Sequence, residues 1–144
     1  MSDYILTFDR DRVDIDLVHR YLSRDSYWAA SIPRATVEES IRNSLCISAF
    51  SGDTQVGFAR VITDYATFGY LADVFVVEEH RGRGISKRIV EAAMTHPRLA
   101  GLRRWLLVTR DAHGLYEQYG FRSLAHPERH MEMVKVNPYA GAAV

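Results

Sequence analysis

Two glycines flank one arginine where a strand-like segment runs into a helix-like one. The segment Arg81-Gly82-Arg83-Gly84-Ile85-Ser86 follows the apolar run that ends at Val77. Glycine permits positive φ and lacks the Cβ atom that would hold a ligand away from the backbone. The first amides of a helix have no internal acceptor and lie at the positive end of its dipole. The segment therefore predicts a phosphate or pyrophosphate site with a basic rim.

Other interpretations of these glycines remain open. An ordinary surface turn before a helix needs no more than these residues. A dinucleotide site is disfavoured because the Gly-x-Gly-x-x-Gly pattern is absent and the junction lies in the middle of the chain. A Walker A loop is also disfavoured, because no Gly-Lys-Ser/Thr follows the turn.

A second motif follows the apolar run Trp105–Thr109. It reads Ala112-His113-Gly114-Leu115-Tyr116-Glu117-Gln118-Tyr119-Gly120-Phe121. Gly120 suits the position just past the end of a short helix, where a left-handed residue is common.

The two motifs together resemble the GNAT acetyltransferases. That family's strand-to-helix fingerprint is Arg/Gln-x-x-Gly-x-Gly/Ala, and Arg81 and Gly84 match it, while Ser86 replaces the last glycine or alanine. The second hallmark, Ala-x-x-x-Tyr-x-x-x-Gly-Phe, is matched in full by the later motif. Thr109 stands where the family often has asparagine. The resemblance extends from Tyr4 to Val136.

The resemblance implies acetyl-coenzyme A as acyl-donor cosubstrate and no metal. It also implies a β-bulge in the strand Phe68–Val77 and a gap between this strand and Trp105–Thr109, which receives the pantetheine arm. The implied coenzyme-binding residues are Phe75, Val76, Arg81, Gly82, Arg83, Gly84, Ile85, Ser86, Lys87 and Thr109.

Acetyl transfer to an amine needs a proton acceptor, an oxyanion donor and a group that stabilises the leaving thiolate. By resemblance Tyr116 faces the coenzyme sulfur, and the amide of Val76 is the expected oxyanion donor. Asp73 is a carboxylate in an apolar strand, so it must be paired or have a raised pKa. It is a candidate base, as a glutamate is in some histone-modifying relatives, or a residue that holds the substrate ammonium.

The acceptor is expected to be a primary amine of a small molecule, an amino acid or a peptide. Tyr27, Trp28 and Tyr70 are candidate substrate-binding residues, because aromatic rings with nearby carboxylates suit a cation. The same aromatic residues are also compatible with the core. Two other functions stay open: a non-catalytic acyl-coenzyme A-binding module, and a longer acyl donor whose carboxylate reaches Arg60 or Arg110.

The elements that must position these residues form an α/β (α+β) fold of the GNAT type. The order β-α-α-β-β-β-α-β-α-β-β predicts a mixed, twisted sheet of six to seven strands with helices on both faces. Residues 1–137 are predicted to be one domain and 138–144 a tail. Asp14 and Thr36 are expected to cap the first two helices, Thr36 together with Glu39. Phe121–Leu124 and Met131–Val136 are the expected last strands.

Composition and charge disfavour nucleic acid as a partner and a membrane or secreted location. The 144-residue chain has 18 basic and 18 acidic residues, so its zero net charge disfavours nucleic acid. No apolar run approaches the length of a membrane span and no signal peptide is evident, so a cytoplasmic protein is expected. The one cysteine, Cys46, is expected to be a core thiol. An exposed last strand can pair between subunits, which makes a homodimer a hypothesis.

Overall fold

The computed structural model describes residues 3–140 and contains a five-stranded sheet with four α-helices. The predicted tail lies partly outside the described residues, at 141–144. The strands are β1 (Tyr4–Thr7), β2 (Leu45–Ser51), β3 (Thr54–Thr63), β4 (Phe68–Val76) and β5 (Arg104–Leu106). The helices are α1 (Ile15–Arg20), α2 (Arg34–Arg42), α3 (Ile85–Met94) and α4 (His113–Glu117), and a π-helical turn (Tyr21–Asp25) continues α1.

The sheet is mixed, as predicted. Its order is β1-β2-β3-β4-β5, with antiparallel pairs up to β4 and a parallel pair between β4 and β5. The prediction of six to seven strands is wrong for residues 3–140, because Phe121–Leu124 and Met131–Val136 form no ladder there. In the same residues, no helix is long and apolar enough to cross a membrane.

Helices cover both faces of the sheet, which confirms the predicted layers. On one face, α3 packs Ile85 and Ile89 against Ile47 and Val61. On the other face, α1 and α2 contribute Val18 and Val37 to a cluster with Cys46 and Phe58. Cys46 is thus a core thiol, and burial raises its pKa to about 11. Because α3 packs against the sheet, the end of β4 and the start of α3 are held at fixed positions relative to each other.

The helix starts follow local chemistry, with one difference from the prediction. Asp14 caps α1, since its carboxylate accepts a hydrogen bond from the amide of Leu17 at 3.1 Å. The predicted Thr36 cap is wrong. Pro33 precedes α2, and its carbonyl accepts from the amide of Thr36 at 3.1 Å, which places Thr36 inside the first turn. Proline's fixed φ suits the entry to a helix, so α2 begins two residues before Thr36.

β4 contains a bulge, and beyond Tyr70 it no longer pairs with β5. Phe58 pairs with Phe75 and Arg60 pairs with Ala72, so two residues of β4 stand against one of β3. Asp73, inside this bulge, has a φ of 54°. The pairing of β4 with β5 ends at Tyr70 and Leu106, although β4 continues to Val76. The bulge and the gap that the resemblance implied are therefore present.

Replacing Ile89 with alanine tests the layer that holds α3. The side chain is 0% exposed, so Ile89→Ala should lower the free energy of unfolding by about 2–5 kcal/mol through the cavity it leaves. Urea denaturation followed by circular dichroism measures this change. Glu91→Ala, on the exposed side of α3, is the control. Equal stabilities for the two variants would contradict the assigned packing.

Candidate active site

The turn between β4 and α3 presents free backbone amides. Gly82 and Gly84 adopt φ values of 78° and 79°, and α3 begins directly after Gly84. The first helical hydrogen bond runs from the amide of Arg88 to the carbonyl of Gly84 at 3.2 Å. The amides of Ile85, Ser86 and Lys87 precede that bond and lie at the positive end of the helix dipole. This geometry fits the diphosphate of a coenzyme.

Arginine side chains brace this turn. The guanidinium of Arg81 donates to the carbonyl of Val76 at 3.0 Å and to the hydroxyl of Tyr21 at 2.8 Å. Arg83 donates to the hydroxyl of Tyr4 at 3.2 Å. That hydroxyl also lies 2.8 Å from Nδ1 of His80. Both arginines therefore connect the turn to its neighbours as well as adding positive charge.

A cleft of about 530 Å³ extends from this turn along the end of β4. Ten of the predicted site residues line it: Tyr27, Trp28, Phe75, Val76, Arg81, Gly82, Gly84, Ile85, Ser86 and Tyr116. Arg83 and Lys87 lie outside its lining. The backbone carbonyl of Lys87 instead accepts from the hydroxyl of Tyr119 at 2.9 Å. The structure thus brings most of the predicted coenzyme residues together around one cleft.

The amide of Val76 points into the gap between β4 and β5. The next residue, Val77, donates its amide to the carbonyl of Val56 on β3 at 2.9 Å. Successive amides of a strand point to opposite sides, so the amide of Val76 faces away from β3. This is the orientation that an oxyanion donor in the cleft requires.

Tyr116 is fixed by the end of α4. The amide of Phe121 donates to the carbonyl of Tyr116 at 3.3 Å, and the amide of Gly120 donates to the carbonyl of Glu117 at 3.2 Å. This Schellman pair needs a left-handed residue, and Gly120 has a φ of 96°. The ring of Phe121 also packs edge-on against the ring of Tyr116, with centroids 6.1 Å apart. The hydrogen bonds that end α4 and the contact between the two rings therefore explain the Tyr-x-x-x-Gly-Phe spacing.

The hydroxyl of Tyr116 stays protonated at neutral pH. The side chain is buried, and burial, together with nearby Tyr27 and Asp111, raises its pKa to about 12. Thr109 shapes the entry to the same helix, because its hydroxyl accepts from the amide of Ala112 at 3.0 Å. The proposed contact of Thr109 with the coenzyme stays a prediction.

A second pocket of about 400 Å³ also borders Tyr116. The predicted residues Tyr27, Trp28, Tyr70, Asp73, Thr109 and Tyr116 line it. The rings of Tyr27 and Trp28 meet edge-to-face with centroids 5.0 Å apart. All three candidate substrate residues therefore share one pocket with Asp73 and Tyr116.

Asp73 is paired through both carboxylate oxygens. One oxygen accepts from the indole of Trp28 at 2.7 Å, and the other accepts from the guanidinium of Arg60 at 2.6 Å. The carboxylate side chain is only 9% exposed. The structure therefore shows the carboxylate paired, as one of the two sequence expectations required. Arg60 is correspondingly committed to Asp73 and to the hydroxyl of Ser44 at 3.1 Å.

Several residues that line the cleft of about 530 Å³ were not among the predicted site residues, and Tyr21, Arg110 and Asp111 are three of them. Tyr21 stacks on Phe75 with centroids 4.0 Å apart and its hydroxyl accepts from Arg81. The sequence suggests a role for Arg110 only with a longer acyl donor. Tyr21 lies directly after α1, and the apolar spacing of that helix does not indicate that the Tyr21 ring packs against β4.

Comparison with known proteins agrees with this geometry. A sequence model of the acetyltransferase (GNAT) family matches residues 15–121. The chain belongs to this family. A protein of Gibberella zeae, provisionally named an acetyltransferase, is 32% identical over 138 residues and covers 80% of this chain and 76% of that protein. The family match over residues 15–121 includes both motifs, so the GNAT resemblance is confirmed.

Two solved GNAT-like structures extend the comparison. A protein of Xanthomonas campestris pv. campestris, provisionally assigned to the GNAT family, is 51% identical with a TM-score of 0.95 and covers 97% of this chain and 99% of that chain. A provisionally named acetyltransferase of Clostridium acetobutylicum, solved with acetyl-CoA, is 15% identical with a TM-score of 0.67 and covers 99% and 100%. The second likeness concerns the fold alone.

Metal ligands are not grouped in the described part of the chain. Within residues 3–140, no three His, Cys, Asp or Glu side chains lie close enough to hold a metal ion. The candidate site consists of the β4–α3 turn, the gap between β4 and β5, Tyr116 and the second pocket.

The left-handed Gly120 gives a test of how Tyr116 is held. Gly120→Ala should lower the free energy of unfolding by about 1–2 kcal/mol, because a Cβ atom is strained at positive φ. Thermal and urea unfolding measure the change.

Gly114→Ala is the matched control, since Gly114 lies inside α4 and a Cβ there meets no atom within 4 Å. That variant should gain up to about 1 kcal/mol from helix propensity. Equal effects of the two substitutions would contradict the Schellman end of α4.

Proposed function

We propose that this GNAT protein transfers an acetyl group from acetyl-coenzyme A to a primary amine. The acceptor is a small molecule, an amino acid or a peptide, and it attacks the thioester directly through a tetrahedral intermediate. One observation carries the proposal: Tyr116 borders both the cleft below the β4–α3 turn and the aromatic pocket beside Asp73. A donor and an acceptor bound in these two spaces would meet at its hydroxyl.

The coenzyme end of the proposal uses the turn and the gap. The amides of Ile85, Ser86 and Lys87 hold the diphosphate, and the basic side chains nearby add charge. The pantetheine arm lies between β4 and β5, where the strands have separated. This arrangement brings the thioester towards Val76 and Tyr116.

The chemical step needs few groups. The amine nitrogen bonds to the thioester carbon while the amide of Val76 donates to the oxyanion. The amine attacks in its neutral form, after its ammonium proton has passed to water. The carbon–sulfur bond then breaks, and Tyr116, which holds its proton at neutral pH because its pKa is about 12, gives that proton to the thiolate. The attacking nitrogen loses one proton as the amide forms, and this proton restores the Tyr116 hydroxyl. A positioned acid of this kind contributes about 10²–10⁴ in rate.

The acceptor end uses the pocket of about 400 Å³. Its aromatic wall, Tyr27 and Trp28, suits an ammonium group before the proton is lost. Asp73 fixes the indole of Trp28 and the guanidinium of Arg60, and we propose that it acts mainly by positioning this wall. Its assignment as the base stays a prediction that kinetics can test.

Tyr116→Phe tests the acid. With acetyl-coenzyme A and a panel of amines, thiol release should fall about 10²–10⁴-fold in kcat, with the affinity for acetyl-coenzyme A little changed. Because the pKa of Tyr116 is about 12, the wild-type rate should not fall through its ionisation until the pH approaches that value. Steady-state kinetics and calorimetry of acetyl-coenzyme A binding provide the two readouts.

The control for this substitution is Tyr119→Phe, which removes a hydroxyl from the same helical region. Its rate should stay within a few-fold of wild type. Wild-type protein that binds acetyl-coenzyme A but acylates no amine would support the non-catalytic module instead. Equal rates for Tyr116→Phe and wild type on a true substrate would remove Tyr116 from the mechanism.

Asp73→Asn separates positioning from proton transfer. If Asp73 orders the wall, the KM for the amine rises, kcat changes less than about tenfold, and the shape of the pH–rate profile is kept. Arg60→Gln, which removes the other half of the ion pair, should then cause a similar rise in KM. A large loss of kcat together with loss of the acidic limb of the profile, in Asp73→Asn alone, would instead assign the base to Asp73.

A further inference from the structure

The acceptor nitrogen of the proposed transfer needs a group that binds it and receives its proton. A primary amine is mostly protonated at neutral pH, because the ordinary pKa of a lysine-like amine is about 10.4. The nitrogen becomes positively charged again when it bonds to the thioester carbon, and it must lose a proton before the amide is complete. A carboxylate beside the nitrogen stabilises the charge in both stages.

Asp73 is poorly suited to this task. Its two carboxylate oxygens accept from Trp28 at 2.7 Å and from Arg60 at 2.6 Å. An amine that reached this carboxylate would have to displace one of the two partners. Displacing Arg60, whose side chain is only 18% exposed, would leave a largely buried charge without its partner, which is costly.

Asp111 is the carboxylate that borders both spaces of the site. Among the acidic residues in 3–140, Asp25 lines the cleft of about 530 Å³ and Asp73 lines the aromatic pocket of about 400 Å³, but Asp111 lines both. Tyr116 also lines both. A group at this junction can contact the nitrogen at the point where the donor and the acceptor would meet.

Backbone hydrogen bonds hold the loop that carries Asp111. The amide of Arg110 donates to the hydroxyl of Tyr27 at 3.1 Å, and the amide of Ala112 donates to the hydroxyl of Thr109 at 3.0 Å. Both neighbours of Asp111 are therefore held through their main chain. The loop does not need the Asp111 carboxylate for its own structure, so a function outside the fold is the better explanation for a charge at this place.

The carboxylate of Asp111 can accept a ligand. Within residues 3–140 its charged partner is Arg110, whose guanidinium lies 3.8 Å away, beyond hydrogen-bond distance. That guanidinium stacks on the ring of Tyr27, with its carbon 3.8 Å from the centroid. The two charged side chains are 65% and 70% exposed, and an exposed pair of this kind contributes little. An incoming ammonium group can therefore replace this contact.

The electrostatics of Tyr116 agree with this placement. Burial raises the pKa of Tyr116 to about 12, and Tyr27 and Asp111 add to the increase. The negative charge of Asp111 therefore reaches the Tyr116 hydroxyl. A positive nitrogen bound beside that hydroxyl experiences the same charge as an attraction.

We propose that Asp111 binds the acceptor nitrogen and receives its proton, a role that rests on the acetyl transfer proposed above. The carboxylate first accepts a hydrogen bond from the ammonium group. After the nitrogen has bonded to the thioester carbon, one N–H bond breaks and the proton passes to Asp111. This proton then moves to the oxygen of Tyr116, whose own proton has gone to the thiolate, because a phenolate is a stronger base than a carboxylate. Asp111 thus ends the cycle as a carboxylate.

The first test is steady-state kinetics with acetyl-coenzyme A and an accepted amine. Asp111→Asn should lower kcat/KM for the amine about 10²-fold or more, with the affinity for acetyl-coenzyme A, measured by calorimetry, little changed. Asp111→Glu, which keeps the charge, should lose less activity. Asp53→Asn is the matched control, because it makes the same change of charge in the exposed turn between β2 and β3, away from both spaces. Wild-type rates for Asp111→Asn would overturn this role and leave the transfer itself intact.

The second test measures binding without turnover. Protein saturated with coenzyme A is titrated with a panel of primary alkyl and aryl ammonium ions and with alcohols of the same shape, and NMR follows the amides of Ala112 and Tyr116. The wild type should bind the ammonium ions at least about tenfold more tightly than the alcohols, as a hydrogen bond between charged groups gives. Asp111→Asn should lose this preference.

Two outcomes of the titration would overturn the role of Asp111. One is equal or undetectable binding of ammonium ions and alcohols by the wild type, and the other is a preference that survives in Asp111→Asn. Wild-type protein that binds ammonium ions through Asp111 but acylates no amine would uphold the binding role and contradict the proposed transfer. The failure of one proposal is therefore distinguishable from the failure of the other.

Discussion

The rest of the site depends on the two contacts that hold the Asp73 carboxylate, the hydrogen bond from Trp28 and the ion pair with Arg60, which we call the clamp. Asp73 interrupts the ladder of β4 with a left-handed φ of 54°, a conformation that costs a non-glycine residue about 1–2 kcal/mol. The hydrogen bonds from Arg60 and Trp28 hold the carboxylate in that place. The backbone therefore stays bent at this point, and β4 diverges from β5 instead of continuing to pair. The gap to which we assign the acyl donor opens beside this bend.

The regions proposed to bind the donor and the acceptor lie on either side of this bend along the chain. Downstream of it, Val76 turns its amide into the gap, and the Gly82–Gly84 turn places α3 with its positive end at the far opening. Upstream of it, the Asp73 side chain holds Trp28 in the wall of the aromatic pocket. Tyr116, on α4, borders both the cleft and the aromatic pocket. If the protein acts as proposed, one distorted strand and one short helix are enough to bring a thioester and an amine together.

The features that the sequence predicts correctly are those encoded by neighbouring residues. The apolar run of β4, the glycines before α3 and the Gly120 end of α4 each act within a few positions, so their patterns are readable. The clamp was not readable, because Trp28 lies 45 residues and Arg60 13 residues from Asp73 and no periodicity connects them. The pattern of Thr36 with Glu39 predicts a cap at Thr36, but Pro33 starts the helix earlier. Met131–Val136 has the composition of a strand, but a strand also needs a partner, which composition does not identify.

The order of strands across the sheet is also their order along the chain. β3 and β4 each pair with the preceding strand through a short turn, whereas β5 follows α3 and pairs with β4 in parallel. Local pairings form sooner than distant ones because they close shorter loops. We therefore expect the antiparallel part to fold first during synthesis, while the space between β4 and β5 takes shape only when the last third of the polypeptide has emerged. A nascent chain would consequently acquire its hydrophobic core before it acquires any capacity to bind a coenzyme.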